Sequence, residues 1–517
     1  MTRKTVSIVL LICTLSCTAI AQQTPEAVAQ SPLYNVTAFG AVGDGKTIDS
    51  PAINKTIEAA AAAGGGTVYF PKGTYLSFSI RLKSNIALYL DHGATILAAD
   101  PCTVEGGYDP AESNPTDMYQ DYGHSHWRDS LIWGEGIESI SIIGPGLICG
   151  KGLDRWDSPT VGRGNKALAL KLCRNVTIRD VTFLMGGHFC ILATGVDNFT
   201  LDNVKMDTNR DGVNIDCCKN VRVSNCTVNS PIDDGICLKS SFGLGFARAT
   251  ENVTITNCQL SGYDAGTLLD GTYKRTITAG PDKDGPTGRI KFGTESNGGF
   301  KNVTISNCIF DNCRGLALET VDGGLLEDVS ITNITMRDIV NAPIFLRLGS
   351  RMRGPEGVPV GKLRRVNISD IIVYNADPRF ASIISGIPGH YIEDVRLNNI
   401  RIFYKGGGTK AQADLQPPEN ESKYPEPSMF GEIPAYGFFI RHVKGIELND
   451  VQVSFLTEDL RPAFILEDVK NADFHRVKAQ HAPDVSVFLL KNVEGFGTHQ
   501  CQPIPDVQLN HVDRKNL

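Results

Sequence analysis

From Asn175 onward the chain alternates. Apolar and polar residues exchange places for a few positions, an Asn or Asp interrupts, and a second alternating stretch follows. The unit reads NVTIRDVTF from Asn175, NFTLDNVKM from Asn198, NVRVSNCTV from Asn220 and NVTITNCQL from Asn252. Further copies are NVTISNCIF from Asn302, DVSITNITM from Asp328, RVNISDIIV from Arg365, DVRLNNIRI from Asp394 and GIELNDVQV from Gly445. Period-two alternation rich in Val, Ile and Thr predicts short strands with one face turned inward. The Asn or Asp between them predicts a turn, because its side chain bonds nearby backbone and tolerates left-handed geometry.

The shortest spacing between copies is 22 residues, from Asn198 to Asn220, and longer spacings carry inserted loops. Short strands at this period, with a polar turn in each copy, predict the coils of a solenoid stacked at about 4.8 Å, so that equivalent positions fall in rows. The expected fold class is all-β, a single-stranded right-handed parallel β-helix with an N-terminal capping helix. Asp49-Ser50-Pro51 opens that helix, which is predicted to run to about Ala63, and Gly64-Gly65-Gly66 ends it. A cap is needed because an open coil exposes apolar core and unpaired strand edge. The Pro- and Glu-rich stretch 416–427 reads as a surface loop, and the alternation fades after Phe474. The chain therefore divides into a signal peptide (1–21), a β-helix with its N-terminal cap (22–480) and a C-terminal capping tail (481–517).

Composition narrows the function. A net charge of −7 on 517 residues, without a basic block, gives no footprint for nucleic acid. Arg3 and Lys4 precede an apolar run from Val6 to Leu15, and Ala19-Ile20-Ala21 supplies a cleavage site before Gln22, which predicts export to a secreted or periplasmic location. Lipid attachment at Cys17 fits less well, since Leu15-Ser16 before it is a poor match for such a site. No later segment reads as a membrane span. A capped solenoid needs no partner, so a monomer is expected. Twelve of the 14 cysteines follow the leader, and Cys226, Cys258 and Cys308 share one slot of successive copies, which reads as a row of free thiols in the interior. Cys217-Cys218 has no spaced partner pair, and no metal is expected.

The candidate chemistry is acidic. Asn209-Arg210-Asp211-Gly212 is followed 22 residues later by Asp233-Asp234-Gly235-Ile236-Cys237-Leu238-Lys239-Ser240. Asp211 and Asp233 are thus predicted to project from nearly the same slot of adjacent coils. Asp234 joins them only where the backbone turns or bulges, which Gly235 permits. Carboxylates gathered so closely cannot all ionise normally. One is kept protonated to give a proton to a leaving oxygen, while the others activate water. Any one of these acids taken alone reads as a turn residue or a partner of Lys239.

At these residues the chain resembles glycoside hydrolase family 28, the polygalacturonases, over about Tyr34 to Val453. Asn209-Arg210-Asp211-Gly212 is similar to the family's Asn-Thr-Asp-Gly motif, and Asp233-Asp234-Gly235 matches its paired-aspartate motif. The opening segment Phe39-Gly40-Ala41-Val42-Gly43-Asp44-Gly45 is shared with other β-helix proteins and is less specific. The resemblance implies inverting hydrolysis without any cofactor, with Asp233 as general acid and Asp211 and Asp234 activating water. Two family motifs are broken. Pro286-Thr287-Gly288 stands where a Gly-His-Gly is expected, and Ala317-Leu318-Glu319 stands for Arg-Ile-Lys, whose cations hold a galacturonate carboxylate beside the cleaved bond. Glu319 reverses that charge, which points to a branched or mixed pectin, such as rhamnogalacturonan, with a neutral or differently oriented sugar at the leaving-group subsite. Asn209, Lys239, Glu295, Glu319 and Arg347 are the candidate substrate contacts, with pectic polysaccharide or oligosaccharide as partner. The insertions at 262–293 and 405–432 can wall off one end of a groove, which would make the action exo. Two other classes fit the same coil: a polysaccharide lyase, and a non-catalytic glycan-binding or adhesion β-helix.

Overall fold

A computed structural model describes residues 32–156, 161–278 and 285–517; the signal peptide expected at 1–21 lies outside them. The alternating units fold as expected into the coils of a parallel β-helix. One coil comprises strands Phe189–Thr194, Asp197–Asp202 and Lys205–Asp207, and the next comprises Asp211–Asp216, Lys219–Ser224 and Thr227–Asn229. Each strand pairs in parallel with its counterpart one coil on. The inward positions fall in register: Val176 faces Phe199, then Val221, Val253, Val303, Val329, Val366, Val395 and Ile446. All of them are buried. A row of aliphatic side chains removed from water along the whole axis is what holds the stack together.

Two bends of each of these coils, one just inside the second strand and one before the third, are closed by single residues in left-handed backbone. Asn175, Asn198, Asn220, Asn252 and Asn302 have φ between 54° and 58°, and so do Asn225, Asn257, Asn307 and Asn333. Their amides bond along the row: Asn198 donates to Asn175 at 3.0 Å, Asn220 to Asn198 at 3.2 Å, Asn252 to Asn220 at 3.0 Å and Asn302 to Asn252 at 2.8 Å. The side chain best suited to that backbone also satisfies its neighbour, which explains why the sequence repeats Asn there. Insertions gather at the remaining corners, on either side of one sheet. That sheet is made of Phe189–Thr194, Asp211–Asp216, Ile236–Ser240, Ile290–Ser296, Leu316–Thr320, Ile344–Leu348 and Ser382–Ser385.

The capping helix spans Ser50–Ala62 with Pro51 in its first turn, and Gly64, Gly65 and Gly66 follow at positive φ. Asp49 does not cap it through its side chain. Its carboxylate instead accepts the amides of Val42 (2.7 Å) and Gly43 (3.0 Å), pinning the preceding turn. Parallel stacking continues through Phe488–His499, further than the sequence alternation carries, and the antiparallel strand Val507–Asn516 closes the end. Cys226, Cys258 and Cys308 are buried free thiols in one row. Among the described residues no helix is long and apolar enough to cross a membrane, and no cluster of ligands fit to hold a metal ion occurs.

Candidate active site

The acids meet on this sheet, in a register that differs from the one the spacing predicts. Val213 pairs with Ile236, and the Gly212 amide bonds the Asp234 carbonyl at 3.0 Å, so Asp211 lies level with Asp234. Asp233 is the extra residue. The corner 230–233 is one residue longer than its counterpart one coil back, and Ser230 Oγ ties it by donating to the carbonyls of Arg210 (2.6 Å) and Asp233 (2.8 Å). The bulge sets Asp233 forward. Its side chain is 22% exposed, while Asp211 and Asp234 are buried.

Each acid has a different environment. Burial, together with the negative charge of Asp233, holds the Asp211 carboxyl well above the usual carboxylate range. Asn214 Nδ2 donates to Asp211 Oδ2 at 3.0 Å, and Asp211 Oδ1 meets no donor. Burial would also raise Asp233, but the Arg210 guanidinium, 3.0 Å away, outweighs it and, with a hydrogen bond from Asp211, holds Asp233 below its ordinary value. Of this coupled pair, Asp211 favours its neutral form and Asp233 its charged form. Arg210 stacks one coil above His188 and contacts it, while His188 Nδ1 lies 3.0 Å from the Arg155 carbonyl oxygen. Asp234 accepts from Arg289 Nε at 2.8 Å and lies 3.6 Å from Lys291 Nζ.

Of the candidate substrate contacts, Lys239 and Glu295 pair with each other at 2.8 Å. Burial would raise Glu295, but Lys239, His124 (3.7 Å) and Arg351 (3.8 Å) hold it well below the carboxylate range. Asn209 presents a buried Oδ1 with no protein donor. Glu319 is fully buried, and neither of its oxygens has a hydrogen-bond partner. Burial pushes it up to about 8, with Lys291, 3.5 Å away, opposing and the charge of Glu426 adding to the rise. Arg347 is not brought to the acids' surface. It is buried, donates to Ser385 Oγ (3.0 Å) and to the carbonyls of Gly386 and Glu419 (2.9 Å each), and lies over Phe430. Its guanidinium is used in fastening a loop. Trp127 is likewise buried, its indole N–H bonded to Thr194.

The cations beside the acids come earlier in the chain than Arg347. Arg289, Lys291 and Arg314 surround Glu426, which the insertion after Gly406 carries back to the acids. Lys291 pairs with Ala317, so the ammonium absent from Ala317-Leu318-Glu319 is supplied by the adjacent coil. The signal was legible as Arg289-Ile290-Lys291, the expected triplet displaced by one coil. Glu426 and Tyr424 had no comparable signal.

Two coupled carboxyls shifted in opposite directions, of which Asp233 is the more exposed, and a third that accepts from Arg289 form an arrangement that can give a proton to one oxygen and take one from another. Comparisons agree with that chemistry. Residues 109–266 match the family described as Glycosyl hydrolases family 28, and residues 33–126 match Rhamnogalacturonase A/epimerase, pectate lyase-like. A probable polygalacturonase of Vitis vinifera is 23% identical over 432 residues, covering 77% of this chain and 80% of that protein. The Plasmin and fibronectin-binding protein A of Streptococcus pneumoniae is 32% identical over 266 residues, 47% of this chain and 34% of that one. The solved family 28 exopolygalacturonase of Yersinia enterocolitica superimposes with a TM-score of 0.63 at 18% identity, covering 86% of this chain and 79% of that one.

Proposed function

We propose that the chain is a family 28 glycoside hydrolase, an exported, exo-acting enzyme that hydrolyses galacturonate-containing bonds of pectin with inversion. The observation that carries the reading is the gathering of Asp211, Asp234 and the more exposed Asp233 on one sheet, with Arg210 3.0 Å from Asp233. When a glycosidic oxygen comes against the more exposed Asp233, the proton passes from Asp211 to Asp233 and on to that oxygen. Asp211, now ionised, and Asp234 accept the proton of the incoming water as its oxygen bonds to the anomeric carbon and the bond from that carbon to the protonated glycosidic oxygen breaks. Inverting pairs keep about 6.5–9.5 Å between acid and base, so a bound sugar must part the two resting carboxyls to admit water.

Exo action is supported by the path of the insertion 407–437. Its carbonyls at Glu419 and Glu421 bond Arg347 and Ser350, Tyr424 reaches Lys291, and Glu426 reaches Arg289. The loop therefore runs back along the sheet to the acids, and in this reading it closes one end of the substrate's path. The test is digestion of polygalacturonate and of mixed pectin, with the Asp233→Asn protein as control. Single sugars released from the outset, with the first-formed anomer inverted by proton NMR, are expected. Mixed oligomers from the start would remove exo action, retention would remove inversion, and a wild type no faster than the control would remove the hydrolase assignment. The likeness to the Plasmin and fibronectin-binding protein A of Streptococcus pneumoniae favours one other reading, a non-catalytic binding or adhesion β-helix. Tight pectin binding without new reducing ends would establish that reading instead.

A further inference from the structure

The cations beside the acids already hold a carboxylate, and it belongs to the protein. Glu426 arrives on the insertion 407–437 and enters a seat formed by three buried side chains, Arg289, Lys291 and Arg314. Glu426 Oε2 accepts from Arg289 Nη1 at 3.1 Å and lies 3.2 Å from Arg314 Nη1. Oε1 takes the second arm of Arg289 and lies 3.5 Å from Lys291 Nζ. Burial would raise the Glu426 carboxyl, yet the three cations pull it down to about 2. Two further carboxyls use the same cations, Asp234 through Arg289 and Lys291, and Glu319 through Lys291.

An acidic sugar drawn to this seat must therefore displace Glu426 or set another negative charge against it and Asp234. Neither is favourable in a buried site where charges are already matched. We infer that Glu426 is a specificity-determining residue: it fills the cationic seat beside the acids with an internal carboxylate, so that the sugar lodged against Arg289 and Lys291 is an uncharged one. The inference rests on the hydrolase reading and deepens it by naming the class of substrate, a pectic chain in which galacturonate is joined to a neutral sugar. Tyr424, whose hydroxyl accepts from Lys291 Nζ at 3.1 Å and whose ring lies 5.0 Å from it, completes a wall suited to hydroxyls.

The experiment compares two defined oligosaccharides of equal length, one entirely galacturonate and one alternating galacturonate with an uncharged deoxyhexose. The wild type is expected to cut the alternating oligomer with kcat/KM at least about tenfold higher, and Glu426→Gln, which frees the seat, to swing the ratio toward the all-galacturonate oligomer by about tenfold or more. A wild type that cuts the all-galacturonate oligomer as well or better overturns the inference, and this arm stands even where the variant does not fold. A folded Glu426→Gln with an unchanged ratio overturns it also. If the wild type cuts neither oligomer, the hydrolase reading itself fails and takes this one with it.

Discussion

Replacing Arg210 by Gln tests how the proton of the acid pair is held. The guanidinium lies 3.0 Å from Asp233, with side chains 25% and 22% exposed. Two unit charges about 4 Å apart at an effective dielectric constant near 20 interact by about 4 kcal/mol, or about 3 pKa units. Partial exposure screens this, and we take about half, 1–2 units. The sign follows from which form Arg210 favours. A cation stabilises the carboxylate, so its loss raises the pKa of Asp233, and to a smaller degree that of Asp211, on which Arg210 also acts. The active form carries one proton on the pair. Its acid limit, where the second proton binds, is set mainly by Asp233 and should move up by about 1–2 pH units; the alkaline limit should move the same way by less. Initial rates of reducing-end release on a fixed pectic oligosaccharide, followed across pH at constant ionic strength, give both limits of kcat/KM. An acid limb that stays in place or moves down refutes the reasoning, whatever happens to the absolute rate.

Asp233→Asn should lower turnover by about 10³-fold or more while the melting temperature changes little, because its side chain is partly exposed and outside the core; near-normal turnover would remove it as the acid. Glu319→Gln probes a buried carboxyl raised to about 8. Its proton is held more tightly in the folded chain than in the unfolded one, so wild-type stability falls as pH rises from about 4.5 through 8, and the variant should gain on the wild type over that window by on the order of 4 kcal/mol. Thermal melts across pH measure the gap, and a constant gap contradicts the shift. Arg347→Ala should release the loop it fastens, costing about 3 kcal/mol and changing product sizes from single sugars toward mixed oligomers, as chromatography of a digest would show. In the native protein Cys102, the one exposed cysteine among the described residues, should react with a thiol reagent in minutes while the buried thiols wait for unfolding.

The sequence announces the coil because one physical demand recurs in every copy: an inward aliphatic residue at alternate positions and a polar turn residue able to take left-handed backbone. It announces the acid cluster for the same reason, since residues one period apart must stack. It misplaces the register by one residue because the corner 230–233 is longer than the corner before it, so Asp234 and not Asp233 lies level with Asp211. The role of the cations at 289, 291 and 314 is not legible from a motif taken on its own coil, because a side chain on one coil reaches the slot of the next. Glu426 could not be found at all. A loop of this length follows no period, and where it lands depends on anchors such as Arg347 and Arg441, which bond its carbonyls.

The asparagine rows carry a consequence for how such a chain can diverge. With one bend of the coils from Asn175 to Asn302 locked by amides bonded to the amides above and below, added residues there would interrupt a continuous seam. Lengthening is free only beside the sheet that bears Asp211 and Asp234. New sequence is thus funnelled to the rim of the groove, where it alters which glycan is admitted and leaves the barrel beneath untouched.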